Sequence, residues 1–133
     1  MTPRIKVHLY LSADSFDLAE VTRRLDVTPT CTREKSEWPQ VSIDMEIAHV
    51  SWNYTTTEIQ SLSVENSFLE LIEVFDPKIA VIKELIQEFR LETTLVVVIN
   101  GESVNLPEMQ LSEEIIAFAA SINASIGFDM YLD

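Results

Sequence analysis

Two glycines stand in 133 residues, where an average chain of that length has roughly nine. That scarcity excludes most glycine-rich phosphate loops, which need several glycines in one turn. One cysteine, Cys31, excludes an internal disulfide. The two histidines, His8 and His49, have no partner at metal-ligand spacing, so a zinc site has nothing to build on. No apolar run approaches the ~20 residues of a membrane span. Met1-Thr2-Pro3-Arg4 lacks the apolar core of a secretory leader. A reducing, cytoplasmic setting is the default expectation. No cofactor is expected.

Positive charge is scarce as well. Nine Lys and Arg face 22 Asp and Glu, for a formal charge of −13. The bases gather early. Residues 1–35 carry six bases and five acids, and residues 36–133 carry three bases and 17 acids. No basic side chain follows Arg90. Such a surface repels nucleic acid and anionic membranes, whose binding needs clustered Lys and Arg. It attracts a basic protein and speeds the encounter. The plainer consequence of the charge is solubility.

What is present is a globular pattern. Hydrophobic residues make up 47%, too many for a disordered chain. The length suits one domain over residues 1–133. Residues 4–11 alternate, with Ile5, Val7, Leu9 and Leu11 on one face and His8 and Tyr10 on the other, which is a half-buried strand. Asp14 or Ser15 is placed to cap a helix over 17–25. Residues 26–40, with Pro29 and Pro39, read as a connection. Residues 41–57 read as strand with a phase slip near Ile47–Ala48, which a bulge or a break resolves. Ser67 and Glu70 fit a capping box ahead of Phe68, Leu71, Ile72 and Phe75. Asp76-Pro77 divides that helix from the next, with Asp76 as the second helix's cap. Ile79, Ile82, Leu85, Ile86 and Phe89 are the second helix's apolar stripe.

Thr93–Ile99 suits a central strand covered on both faces. Asn100-Gly101 is a hairpin signal, with a return strand over Glu102–Leu106. Ser112 caps the last helix, Leu111 and Ile116 form a staple, and residues 125–132 alternate as a final strand. The expected fold is α+β, a two-layer sandwich of a mixed, largely antiparallel sheet of about five strands with helices on one face.

Candidate chemistry is sparse. Cys31 lies near Arg33 and Lys35, which would lower a thiol pKa, but no nucleophile signature surrounds it. Asp129 and Glu102 can be written as an acid–base pair, yet 22 acids make chance pairs common. Arg23, Arg24, Arg33 and Lys35 form a basic island. It either grips an anion with the hydroxyls of Thr28, Thr30 and Thr32 or pairs with the surplus carboxylates. Trp52 with Tyr54, Asp129 with Tyr131, and His8 with Tyr10 are expected to line an aromatic patch on the open side of the sheet.

Leu25-Asp26-Val27-Thr28-Pro29-Thr30 resembles the L-x-[IV]-x-P-T segment of a family of small, mostly bacterial proteins of unknown function, the domain-of-unknown-function family numbered four-two-seven-nine. Trp52 with Tyr54, Leu111-Ser112 and Phe128-Asp129-Met130-Tyr131 are similar to the family as well, so the likeness spans about Val7 to Tyr131. The resemblance implies a compact α+β domain and carries over no catalytic residue. Two departures stand out. Lys35 is followed by Ser36, not glycine, and Asn123-Ala124 replaces a glycine before the last strand. Asn tolerates left-handed geometry, so the second change is mild.

The primary functional reading is a non-catalytic binding domain, in its sharpest form an acidic immunity-type inhibitor of a basic protein. The alternative is a small-ligand or anion binder, or an enzyme, using Thr30 and Lys35 opposite Asp129 and Tyr131. A third reading is a structural homo-oligomer formed through the open sheet face or its edge strand.

Overall fold

The structure, a computed structural model, describes residues 2–133. One sheet carries the architecture. Its strands are β1 (Arg4–Ala13), β2 (Cys31–Arg33), β3 (Val50–Thr55), β4 (Ile59–Gln60), β5 (Glu92–Gly101) and β6 (Ser125–Leu132). The spatial order is β2-β3-β1-β5-β6, with β4 pairing the start of β1. Every pairing is antiparallel except β5 with β6. Helices α1 (Leu18–Leu25), α2 (Gln40–Asp44), α3 (Glu65–Phe75), α4 (Ile79–Phe89) and α5 (Glu113–Ser121) join them. The expected α+β class with helices on one face holds.

The core explains why one face is covered. Ile5, Val7, Leu9 and Leu11 of β1 and Leu95, Val97 and Ile99 of β5 are fully buried. They share one cluster with Val21 and Leu25 of α1, Phe68, Leu71 and Phe75 of α3, Ile82 and Leu85 of α4, and Ile115 and Phe118 of α5. Each such side chain contributes roughly 1.5–3 kcal/mol by leaving water. Left-handed turns, the usual place of glycine, fall to Asp26, Glu46, Arg90 and Asn123, with φ between 52° and 60°. Asp26 and Arg90 end α1 and α4 in that geometry. Asn123 takes that geometry just ahead of β6.

Several local expectations fail. The cap of α1 is Asp17, not Asp14 or Ser15, and its carboxylate accepts from the Glu20 N–H at 3.2 Å. Residues 41–47 are not strand. Pro39 accepts from the Ser42 N–H at 2.9 Å and opens α2, after which Glu46 turns the chain at φ 60°. Ile43, Met45 and Ile47 shared a parity by coincidence, and Met45 and Ile47 are exposed. Part of the supposed connection is β2, an edge strand on β3. Ser67 does not cap. It lies inside α3, buried, while the Glu70 carboxylate accepts from the Thr57 N–H at 2.8 Å. Asp76-Pro77 does divide α3 from α4, through a 3-10 turn over Asp76–Lys78, although the Asp76 side chain caps neither helix. Ser112 caps α5 as expected, and Ile116 is exposed.

Asn100-Gly101 forms no hairpin. Both residues continue β5, and no glycine has positive φ. Residues 102–106 make no strand. The partner that β5 needs on that side is β6, which returns by way of α5 and runs parallel. The expected cover on both faces of β5 also fails, since no helix packs on the outer face. On that face Thr94 and Val96 are half-buried and Val98 is buried, among their strand neighbours.

Candidate functional site

Register decides which side chains the open face displays. On β1 they are Arg4, Lys6, His8, Tyr10 and Ser12, because the alternate residues are the core. Opposite them on β3 stand Ser51, Asn53 and Thr55, and beyond on β2 stand Cys31 and Arg33. On the other side, β5 adds Val96 and a buried Val98, and β6 adds the exposed Asp129 and Tyr131.

Trp52 and Tyr54 are absent from this face, which corrects the expected patch. Trp52 pairs with Leu11 and Tyr54 with Leu9, so both point toward the helices. The Tyr54 ring meets the Phe75 ring at 5.1 Å and 85°, and the Trp52 ring meets it at 6.3 Å and 80°. These are edge-to-face core contacts. The other expected members do share the open face. His8 and Tyr10 lie with ring centroids 5.3 Å apart. His8 Nδ1 sits 2.6 Å from Thr55 Oγ1. Burial and then the Lys6 charge hold the His8 pKa below its ordinary value. Burial, followed by the charge of Asp129, raises that of Tyr10.

An aromatic hollow at one end of this face was not legible in the sequence. Tyr10, Ser12, Arg33, Trp38, His49 and Thr94 line a concavity of about 300 Å³. The Arg33 guanidinium sits over the Trp38 ring at 4.0 Å, and the His49 ring lies 4.7 Å from it. Trp38 Nε1–H donates to the His49 carbonyl at 2.8 Å, which locks the indole. The signal available was a Trp beside Pro39 in a polar connection. Its partner His49 comes eleven residues later, across a turn no pattern announced.

Thr30 and Lys35 do not meet Asp129 and Tyr131. The first pair belongs to the β2 end of the sheet and the second to β6, with three strands between, or roughly 19 Å at ordinary strand spacing. The Thr30 hydroxyl accepts from the Thr55 N–H at 2.8 Å, which extends the β2–β3 ladder. The Lys35 ammonium donates to Asp14 at 2.6 Å. The basic island is dispersed in the same way. Arg23 pairs with Glu20, Arg24 bridges from α1 to Glu84 and Glu88 of α4, and Arg33 covers Trp38. Cys31 is exposed on β2, at the opposite end of the sheet from Asp129. Among the described residues no three His, Cys, Asp or Glu side chains gather as a metal-ligand set. No helix among them is long and apolar enough to cross a membrane.

A second, wider depression lies on the other layer. α3, the turn after it and α5 enclose a groove of about 700 Å³. Ile72, Ile79 and Phe118 form its apolar floor, and Glu73, Asp76 and Glu114 stand exposed at its rim. In the sequence Asp76 reads as a helix cap, and no local pattern ties it to Glu114. Only the contact between α3 and α5 makes them neighbours.

No curated protein and no solved structure matches this chain. The family described as Domain of unknown function (DUF4279) matches residues 3–133, and the chain belongs to that family.

Proposed function

We propose that this chain is a non-catalytic protein-binding domain whose α3–α5 groove takes a basic, partly apolar segment of a partner protein. The groove carries the reading, since an apolar floor ringed by Glu73, Asp76 and Glu114 offers burial and opposite charge to one ligand. The formal charge of −13 extends the attraction beyond contact range. Masking the positive cleft of a basic target, as an immunity-type inhibitor does, is the sharpest form of this activity. Nothing in the geometry favours the alternative built on Thr30, Lys35, Asp129 and Tyr131, because those residues do not converge.

The test is a titration of isotope-labelled protein with two synthetic peptides of equal positive charge. One alternates Lys with Leu and the other Lys with Ser. The expected result is tighter binding of the Lys–Leu peptide, amide shifts centred on Glu73, Asp76, Glu114 and Phe118, and loss of binding on Glu73→Lys with Glu114→Lys. Equal affinities, or shifts spread over the open sheet face, would overturn the proposal.

A further inference from the structure

The β6 edge is unusual in being left open. Edge strands are normally blunted by charged side chains (Lys above all), Pro, a bulge or a covering element. β6 runs for eight residues, Ser125–Leu132, with no Lys and no Pro, and its one charged side chain is Asp129 on the open face. Its core-facing side chains Phe128, Met130 and Leu132 remain 38–41% exposed, so the helix layer stops short of them.

The hydrogen bonds show which backbone groups are free to pair. Asp133 N–H donates to Gly101 O at 3.0 Å, and Asp133 O accepts from Ser103 N–H at 3.4 Å. Asp133 therefore addresses β5 with both groups. In a parallel ladder such residues alternate with residues whose groups point away. Counting back, Ile126, Phe128, Met130 and Leu132 aim their N–H and C=O outward.

Gly127 supplies an independent observation. It is one of two glycines in the chain and sits inside this strand. It lacks positive φ, and nothing lies within 4 Å of where its Cβ would stand. No contact within the monomer requires a glycine there, and a glycine in a strand weakens it unless a backbone or ligand comes close.

We infer that β6 pairs antiparallel with β6 of a second copy, about a two-fold axis through Phe128. This register matches the strand to itself. Phe128 meets its own copy, and Ile126 meets Met130 of the other chain on the core side. On the open face Asp129 falls opposite Gly127 and Tyr131 opposite Ser125, so each larger side chain meets a small one. The register also keeps the two Asp129 carboxylates from standing directly opposite each other, an arrangement that costs free energy. The open faces of the two sheets become one continuous surface.

The experiment is sedimentation at micromolar concentration of the native chain, Gly127→Asp and Gly127→Lys. The native chain is expected at twice the monomer mass, and more completely so as salt screens its negative charge. Basic-peptide binding in the α3–α5 groove has the opposite salt dependence, so the two proposals fail separately. Gly127→Asp sets a carboxylate against Asp129 twice per dimer and weakens association on the order of tenfold. Gly127→Lys sets an ammonium there and keeps the dimer. Both variants remove the same glycine, so a folding defect alone affects them alike. A native monomer, or equal behaviour of the two variants, overturns the inference.

Discussion

The indole N–H of Trp52 donates to Thr22 Oγ1 at 3.0 Å, tying the buried face of β3 to α1. Trp52 is fully buried, so this is the one polar contact its ring makes in the core. Thr22 in turn donates to the Leu18 carbonyl at 3.2 Å, which leaves its lone pairs free for the indole. Thr22→Val removes the acceptor and strands a buried N–H, at a cost of about 1–3 kcal/mol. Thr22→Ser is expected to retain most of the stability. Urea unfolding of the two variants checks this, and equal midpoints would show that the bond contributes nothing.

Thr93 presents the reverse case. Its hydroxyl is buried on the core face of β5 without a protein partner, as is that of Ser67 in α3. An unpaired buried hydroxyl costs free energy that an isosteric methyl does not. Thr93→Val is expected to raise stability by about 1 kcal/mol. A lowered melting temperature would refute it.

Gly101 tests the strand against the turn. A glycine in a type I′ hairpin has positive φ and resists substitution. Gly101 has no positive φ, and an added Cβ meets Pro3 at 3.4 Å, an ordinary contact. Gly101→Ala is expected to shift stability by less than about 1 kcal/mol, in the stabilising direction. A large loss in thermal unfolding would bring back the hairpin.

His8 confers a pH dependence whose sign follows from its surroundings. Burial, and then Lys6, lower its pKa in the folded chain below the ordinary 6.5. The unfolded chain therefore binds the proton first as pH falls. The stability tied to neutral His8 is complete above the unfolded value and is lost as pH drops through the folded one. Unfolding midpoints at pH 7.5 and pH 5 are expected to differ less for His8→Gln than for the native chain. Equal slopes would remove His8 from the account.

The strands and helices that carry apolar periodicity were legible because period two and period 3.6 are consequences of local geometry. β1 showed itself through Ile5, Val7, Leu9 and Leu11, and α4 through Ile82 and Leu85. Ser112 marked the start of α5 because its cap is a contact within one turn. Where two local signals competed, the longer-range pairing won. Asn100-Gly101 stayed in strand because β1 on one side and β6 on the other satisfy the β5 ladder.

Amino-acid order by itself determined the α+β class, the strongly negative charge, the shortage of glycine and most of the buried set. Tertiary structure alone decided which face each aromatic occupies, since a strand's two faces are equivalent until helices cover one. It turned Trp52 and Tyr54 inward, placed Arg33 over Trp38 and drew Glu73, Asp76 and Glu114 around one groove. It also set Thr30 and Asp129 at opposite ends of the sheet. Strand order is a property of pairings between residues far apart in the chain, and no local pattern encodes it.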